Sequence, residues 1–567
     1  MNNQSENRIC QNCQKDFTIE PEDFNFYEKI KVPPPTFCPE CRLIRRLVWR
    51  NERSLYKRTC DLCNKKVISM YDTKTTFPVY CPECWKSDAW DPSKYAQDFD
   101  FSKSFFEQFR ELFNKVPRQS VWQLGNNINT EYTNFAQDAR NVYLAYSVIN
   151  NSEDVFYSSN VDNSKETIDS YNVVNSELIY EGIGNTKNYN CKYSYWSSNC
   201  IDCNFVLDCV NCQNCFGCVN LRNKNYCIWN KQYTQEGYLE KIKSLNIGSY
   251  KFTKENFNEF WNFSLKFPRK YVRIINCVNT IGDELRNCKN TFFSYNSYDM
   301  EDTKFAYRCL NTKSSMDVCY MNAELAYEHA VGGSDFSLNI KFIINGAPAL
   351  NEVEYVDACQ SSSNLFGCIG LKSKQYFILN KQYLKEEYFI MLEKIKKHMD
   401  KMPYIDKRDK IYKYGEFFPP EFSPFGYNET IINEYLPLSK KEAIEKGYNY
   451  KEKIENKYIV TKKSEEIPDD IKDVSDSILN EVIECAVTKK VFKITPFELQ
   501  FYRRMNIPIP RFHQDERYRR RFNLKNPMKL WHRNCMKEGC KNEFETPYAS
   551  NRPEIVYCEK CYQQEIY

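Results

Sequence analysis

The chain has 567 residues, and its hydrophobic content of 42% is enough for several domains with cores of their own. Its formal net charge of +4 excludes a uniformly polycationic protein that binds nucleic acid everywhere on its surface. The N-terminus is polar, and no apolar run approaches the length of a transmembrane helix, so we expect neither a signal peptide nor membrane binding. With 27 cysteines and no secretion signal, thiols and metal sites in the cytoplasm are favoured over disulfides.

Four Cys-x-x-Cys pairs mark residues 1–90 as a double metal module. The pairs are Cys10/Cys13, Cys38/Cys41, Cys60/Cys63 and Cys81/Cys84. The first two pairs and the last two pairs each predict one zinc ion, because zinc prefers four tetrahedral thiolate or imidazole ligands. A site of four thiolates has no open position for a catalytic water, so we expect both ions to be structural. Disulfides are the less favoured alternative for the same pairs.

Basic residues follow the second pair, where apolar Leu43, Leu47 and Val48 have helical spacing and the arginines fall on the other face. This predicts a treble-clef arrangement, with a helix that begins on the second pair of zinc ligands. Such a helix suits a phosphate backbone, and Trp49 or Tyr56 could stack on bases. The residues predicted to bind nucleic acid here are Arg42, Arg45, Arg46, Arg50 and Arg53. A helix whose arginines only form salt bridges is the alternative.

Residues 91–125 are predicted to form a helical linker. Phe105, Phe106, Phe109, Leu112 and Phe113 form one apolar face, and Pro117 ends the helix. We expect this face to dock the metal module on the region that follows it in sequence.

Residues 126–270 and 271–400 show short apolar pairs separated by Asn, Asp, Ser and Cys, which is a rhythm of strands and turns. We predict a parallel β-helix-like solenoid with coils of roughly 20–24 residues. A β-sandwich is the alternative, but its hairpin dipeptides are missing from residues 126–268. The segment FGCVNLRNKNYCIWNKQY at 216–233 returns as FGCIGLKSKQYFILNKQY at 366–383, so the solenoid has two duplicated halves, each followed by a helix that could cap it.

Eight cysteines between Cys191 and Cys227 allow two interpretations. The run Cys200-x-x-Cys203…Cys209-x-x-Cys212-x-x-Cys215-x-x-Cys218 resembles a metal or iron–sulfur site. The second half has mostly apolar residues at the same offset, which favours small buried thiols that pack inside narrow coils.

Residues 401–483 are charged, irregular and rich in proline, which predicts a linker or arm. Residues 484–567 then repeat the N-terminal module at an offset of 475, with 17 Lys/Arg against 9 Asp/Glu from Cys485 onward. Thr488, His513 and Glu516 replace three of the four ligands of its first site, which we expect to be empty and to be replaced by hydrophobic packing of Phe492, Ile494, Leu499, Phe501 and Phe512. The second site predicts a third zinc ion, bound by Cys535, Cys540, Cys558 and Cys561. The corresponding basic residues predicted to bind nucleic acid are Arg517, Arg519, Arg520, Arg521 and Lys525, with Trp531 as a stacking residue.

The predicted fold is therefore mainly β: a duplicated parallel solenoid with a small α+β treble-clef or zinc-ribbon module at each end. The segments FCPECRLIRRLVWRNERSLYKRTCDLC, DFDFSKSFFEQF, FGCVNLRNKNYC and YCEKCY resemble a family of zinc-ribbon, Cys-rich repeat proteins encoded by small-genome candidate-phylum bacteria. The resemblance covers most of the chain and implies zinc binding and a cytoplasmic location. The family has no established activity.

Three functions fit the sequence. The first is a non-enzymatic zinc protein that binds nucleic acid, RNA or the ribosome above all, through both basic helices. The second is a structural or protein-interaction scaffold that binds a protein complex and no nucleic acid. The third is a carbohydrate-active β-helix enzyme that uses Asp202, Asp208, Asp299 or Asp302, and it is disfavoured because the four histidines form no recognisable catalytic motif.

Overall fold

The structure is a computed structural model, and it describes residues 4–332, 336–346, 348–452 and 458–567. The chain divides into two compact units, each assembled from two separate stretches of sequence. Unit 1 contains Met1–Val121 and Val272–Glu452, and unit 2 contains Trp122–Tyr271 and Lys453–Tyr567. The N-terminal module therefore belongs with the second half of the solenoid, and the C-terminal module belongs with the first half.

Two β-hairpins and three short helices form the N-terminal module. Each Cys-x-x-Cys turn either joins the strands of a hairpin or opens a helix. The elements, followed by a linker helix and a short strand, are β1 Glu6–Ile9, β2 Asp16–Ile19, α1 Pro21–Lys29, α2 Pro39–Leu47, β3 Tyr56–Thr59, β4 Lys66–Ser69, β5 Val79–Tyr80, α3 Pro82–Lys86, α4 Phe105–Phe113 and β6 Arg118–Gln119.

The first half of the solenoid, called solenoid 1 below, is a stack of short strands whose neighbours pair in parallel until the last hairpin. Its strands are β7 Gln123–Leu124, β8 Tyr132–Gln137, β9 Arg140–Ile149, β10 Glu153–Phe156, β11 Ser159–Asp162, β12 Lys165–Ile168, β13 Tyr171–Val174, β14 Glu177–Tyr180, β15 Ile183–Thr186, β16 Tyr189–Tyr195, β17 Asn204–Leu207, β18 Gln213–Val219, β19 Asn225–Ile228 and β20 Lys231–Gln232. It is followed by α5 Gln235–Ser244, α6 Tyr250–Ser264 and β21 Arg269–Lys270.

The second half, solenoid 2, repeats this plan. Its strands are β22 Ile274–Ile275, β23 Val278–Arg286, β24 Lys289–Tyr298, β25 Glu301–Tyr307, β26 Lys313–Cys319, β27 Ala323–Val331, β28 Ser337–Asn345, β29 Asn351–Val356, β30 Ser363–Phe366, β31 Gln375–Ile378 and β32 Lys381–Gln382, followed by α7 Lys385–Lys401. Tyr238 of α5 and Tyr388 of α7 are buried beside Tyr226 and Tyr376 of the last parallel strands. Each helix therefore contacts the last parallel strand of its solenoid.

The remaining elements are short. They are β33 Tyr404–Ile405, β34 Ile411–Tyr412, α8 Ile432–Tyr435, α9 Lys440–Glu445 and β35 Lys462–Lys463, and in the C-terminal module β36 Ile483–Glu484, β37 Val491–Phe492, α10 Pro496–Arg504, α11 Gln514–Phe522, β38 Trp531–Asn534, β39 Glu543–Thr546, β40 Val556–Tyr557 and α12 Glu559–Ile566. The segment predicted to be a linker or arm contributes to a core, since Phe417 and Phe418 are fully buried.

One coil of the solenoid takes about 12 residues, as in the pairing of Glu153 with Lys165 and of Lys165 with Glu177. The predicted length of 20–24 residues is wrong. In regular coils a left-handed residue turns the chain at nearly every third position, for example Asn160, Asn163 and Glu166. Asn and Asp tolerate this conformation better than other side chains, and at the corners they also bond to the coil above, as Asn163 does to Asn175 at 2.7 Å. The Asn-rich texture of the sequence follows from these corners.

The inward positions of solenoid 1 mostly take small side chains, whereas the core of solenoid 2 also contains Leu285, Met300 and Phe377. In solenoid 1 these positions hold Val, Ser, Thr and then the cysteine run, in which neighbouring thiols are three residues apart. Cys200 and Cys203 each donate to a carbonyl nine residues ahead, at 3.5 and 3.6 Å. The spacing that resembled a metal site is therefore the three-residue period of the coil, and the structure supports the packing interpretation.

The linker helix does not dock where its place in sequence suggested. Phe105 of α4 packs on Tyr355 and Phe366 of solenoid 2, with ring centroids 5.1 and 5.0 Å apart, although solenoid 1 follows it along the chain. Strand β6 pairs with β5 of the N-terminal module, and β21 pairs with β40 of the C-terminal module in the same way. After each of these two strands the chain leaves its unit and begins the other unit's solenoid. Within the described residues, no helix is both long and apolar enough to cross a membrane.

Candidate metal centres and docking clusters

Three groups of four cysteines converge in the described part of the chain. Within each group the ligand atoms lie within 4.8 Å of one another. Their members are Cys10, Cys13, Cys38 and Cys41; Cys60, Cys63, Cys81 and Cys84; and Cys535, Cys540, Cys558 and Cys561. These are the three sets that the sequence predicted, and each could hold a tetrahedral metal ion.

The local fold prepares each group in the same way. One pair of cysteines lies in a hairpin turn, and the second pair opens a helix, where Cys38 and Cys81 are the N-caps of α2 and α3. The backbone N–H of Cys38 donates to Cys10 Sγ at 3.2 Å, and that of Cys81 donates to Cys60 Sγ at 3.2 Å. Burial raises the pKa of Cys60, but the N–H groups of Cys63 and Cys81 outweigh it and bring the pKa down to about 7. These donors favour the thiolate form that a metal ion needs.

The first site of the C-terminal module has a different set of contacts. His513 Nδ1 accepts the backbone N–H of Asp515 at 3.1 Å, and Glu516 is paired with Arg519 and Arg520. Cys485 is buried in a large apolar cluster that includes the predicted packing residues Phe492, Ile494, Leu499 and Phe501, with Phe512 packed against it. Residues 485–522, the first half of the C-terminal module, therefore have a core that does not depend on a bound metal ion.

The arginines of α2 are buried, in contrast to the phosphate-binding surface expected from the sequence. Arg42 and Arg46 both bind Asp317, at 2.8 and 2.9 Å, and Arg46 also reaches Glu328 at 3.2 Å. Arg45 pairs with Glu328 at 2.7 Å, and Arg50 pairs with Glu52 at 2.6 Å. A guanidinium that is 0–2% exposed and bonded to carboxylates cannot reach a phosphate, so this part of the prediction is wrong for the folded chain.

The same arrangement recurs in unit 2. Arg517 and Arg521, the counterparts of Arg42 and Arg46, bind Asp169 at 2.5 and 2.9 Å, and Arg521 also reaches Glu181 at 3.0 Å. Their expected contact with phosphate is wrong for the same reason. In both units two arginines four residues apart reach acids at left-handed corners of two successive coils: Asp317 and Glu328, or Asp169 and Glu181. We call these two groups the docking clusters.

The remaining predicted nucleic-acid residues differ in exposure. The side chains of Arg519 and Arg520 are 60% and 49% exposed, although both contact Glu516. Arg53 lies 3.7 Å from Glu434, and Lys525 lies over the ring of Tyr171, 3.6 Å from its centroid. Trp49 is buried between Phe113 and Phe418 and has no face for a base.

The acids of the docking clusters were missed by sequence reasoning. A signal was present: an arginine pair spaced i, i+4 on each module, and a Tyr-Glu dipeptide at 180–181 and at 327–328. The tyrosines contact the modules too, since Tyr27 and Tyr502 pack on Tyr327 and Tyr180 at 5.5 and 5.9 Å.

The four acids considered for catalysis all have partners at the coil corners. Asp202, Asp299 and Asp302 each accept a hydrogen bond from an asparagine of the preceding coil, at 2.6, 2.9 and 2.8 Å. Asp208 is paired with Arg222 at 3.1 Å. Each of the four carboxylates therefore has a structural role, as a hydrogen-bond or ion-pair partner within the solenoid.

Unit 2 is expected to lose stability as the pH rises from 4.5 to about 7. Burial, together with the neighbouring Asp169, raises the pKa of Glu181 to about 7 although Arg521 opposes this. Because the unfolded chain releases this proton near pH 4.5, the folded state binds more protons between the two values, and its stability falls there by up to about 3 kcal/mol. Amide hydrogen exchange in residues 153–186 would measure this loss.

The control for this prediction is E181Q, which should reduce the pH dependence and leave the contribution of Glu498, Asp154 and Asp162, whose pKa values burial also raises. D302N, which alters an exposed corner acid, should keep it. Equal slopes in wild type and E181Q would show that another group is responsible.

No family model, curated protein or solved structure matches this chain. The family resemblance seen in the sequence therefore stays a prediction.

Proposed function

We propose that this protein is a non-enzymatic zinc-binding scaffold whose solenoids bind a protein partner. The observation that carries the proposal is the burial of Arg42, Arg46, Arg517 and Arg521 in the docking clusters. Their buried ion pairs hold each module on its solenoid, so these arginines stabilise each unit and do not form a basic surface.

Zinc is the metal best matched to the three four-cysteine groups. Tetrahedral thiolates about 2.3 Å from a zinc ion place their sulfur atoms about 3.8 Å apart. In each group one sulfur pair has nearly this separation, 3.7 Å for Cys13 and Cys38, 3.9 Å for Cys63 and Cys81, and 3.9 Å for Cys540 and Cys558, and all ligand atoms lie within 4.8 Å of one another. Four thiolates fill the coordination sphere, which supports a structural ion.

The exposed solenoid face supports a protein partner better than a polyanion. Along one column of solenoid 1 the charges alternate: Arg140, Glu153, Lys165 and Glu177. Solenoid 2 has the same order in Lys289, Glu301, Lys313 and Glu324. A phosphate backbone is uniformly negative and would meet an acid at every second coil, whereas a protein surface can match alternating charges.

RNA binding is the second candidate, and the exposed Arg519 and Arg520 are the observation in its favour. These two guanidinium groups lie on the outer face of α11 and are available to phosphate in a way that Arg517 and Arg521 are not.

A gel-shift series with RNA against salt separates the two candidates. We expect no salt-sensitive shift at micromolar zinc-loaded protein.

The paired variants are R519A/R520A, which removes the exposed arginines, and K165E/K313E, which reverses two charges of the alternating columns. For the scaffold, partner proteins that co-purify with the native chain should be lost from K165E/K313E and kept by R519A/R520A. A salt-sensitive RNA complex that disappears in R519A/R520A alone would establish the second candidate instead.

A further inference from the structure

Two cysteines are stacked at the beginning of solenoid 2. Val278 pairs with Lys289 in register, so the preceding residues, Cys277 and Cys288, occupy the same position in the first two coils. Cys288 belongs to the core of the solenoid, and Cys277 packs against that core. Both side chains therefore point into the stack, one above the other.

The geometry of the pair suits a disulfide. The strongest influence on the pKa of Cys288 is a hydrogen bond with the thiol of Cys277, which together with burial raises it well above the usual value. Each thiol also contacts the carbonyl two residues earlier, at 3.3 Å for Cys277 and 3.2 Å for Cys288. Neighbouring parallel strands are about 4.8 Å apart, within the range of about 4.4–6.8 Å that a disulfide spans between Cα atoms.

Access distinguishes this pair from the other stacked thiols. Cys203, Cys215 and Cys227 lie in one column of solenoid 1, but each is at most 2% exposed. Cys277 is partly exposed, and its coil is the first of the sheet, whose strand order begins with β22 and β23. In solenoid 1 the corresponding residues are Asn127 and Ala139, which contact each other through an amide oxygen and a backbone N–H at 3.1 Å.

We propose that Cys277 and Cys288 are a redox-active dithiol that reacts with hydroperoxides to form a disulfide. The thiolate of Cys277 attacks the peroxide, forming an S–O bond and releasing hydroxide or alkoxide as the O–O bond breaks. The thiol of Cys288 then attacks the sulfenic acid, the S–S bond forms, and water leaves with the oxygen. The two sulfur atoms lose two electrons in total, and the peroxide gains them.

This disulfide ties the first coil of solenoid 2 to the second. End coils have a neighbour on one side only, so they open more readily than the middle of the stack. Oxidation should therefore slow amide exchange in residues 274–286 and leave the interior coils unchanged.

Trypsin provides a direct test, because it cuts after Arg273, Arg286 and Lys289 and places the two cysteines on separate peptides. Zinc-loaded full-length protein is treated with hydrogen peroxide, its remaining thiols are alkylated under denaturing conditions, and the digest is examined without reduction. We expect peptides 274–286 and 287–289 to appear as one linked species, about 2 Da lighter than the sum of their thiol forms. Cys203, Cys215 and Cys227 should be recovered as alkylated thiols.

The variant C288S is the matched control, since it keeps the reacting thiol and removes its partner. Its Cys277 should be trapped as a sulfenic acid by dimedone, and the linked peptide should be absent. The proposal is overturned if wild-type protein yields no linked peptide, or if the buried thiols of solenoid 1 oxidise at the same rate as Cys277.

Discussion

Removal of metal from the three four-cysteine groups is expected to unfold residues 1–90 and 530–567 while residues 485–522 keep their packing. Binding of a structural zinc ion is worth about 10–16 kcal/mol in small zinc modules, and hairpins of this size have little core of their own. Residues 485–522 instead have the apolar cluster around Leu499 and Phe501. Elemental analysis should give about three zinc ions per chain, and a chelator should make the metal-bound segments sensitive to limited proteolysis.

Single cysteine variants make this prediction specific. C60S should remove one zinc ion and expose residues 56–90 to protease. C212S, at an inward position of solenoid 1, should leave the metal content unchanged. Fewer than two zinc ions in the native protein, or substantial iron, would contradict the assignment.

Loss of Asp317 is expected to destabilise unit 1 by about 3–5 kcal/mol, because D317A leaves Arg42 and Arg46 buried without their shared carboxylate. Burial opposes the charge of Asp317, but the two guanidinium groups outweigh it and lower the pKa of this carboxyl. D169A should have an effect of the same size in unit 2, where Arg517 and Arg521 share Asp169. Urea unfolding followed by hydrogen exchange in each unit would measure both losses.

The control variants also remove a charged side chain, but unlike Asp317 that side chain is exposed. D302A removes an exposed corner acid, and R519A removes an exposed arginine whose buried partner Glu516 keeps Arg520, so each should cost about 1 kcal/mol or less. The double variant R46M/D317L, which replaces part of the buried pair with apolar side chains, should be more stable than D317A. A cost below about 1 kcal/mol for D317A would show that the docking cluster does not hold the module.

The two modules keep their docking arginines more strictly than their metal ligands. The repeat at an offset of 475 preserves the arginines at 42 and 46 as 517 and 521, while three ligands of one metal site are replaced. Where the ligands of a metal ion are lost, local apolar packing such as that of Phe492 and Leu499 can supply the stability instead. Loss of both arginines would leave a coil acid such as Asp169 buried and unpaired, and no residue nearby in sequence could replace them.

The sequence by itself determined the three four-cysteine groups, the duplication of modules and solenoid halves, and the mainly β solenoid. These properties depend on residue identity at short spacing: two cysteines such as Cys60 and Cys63 can converge on one ion whatever lies elsewhere in the chain. The apolar packing of residues 485–522 is equally local. The length of a coil could not be predicted from the sequence. The sequence shows the rhythm of strands and turns, but it does not show that left-handed corners at nearly every third residue close a coil in about 12 residues.

Only the tertiary structure decided which solenoid each module joins and what the basic helices do. Arg46 looks the same in sequence whether it faces solvent or a carboxylate, and its partner Asp317 lies 271 residues away. The chain enters the other unit's solenoid after β6 and after β21, so sequence order gives the wrong neighbour for the N-terminal module. Burial of a charged side chain depends on a contact between distant segments, and no local pattern contains that contact.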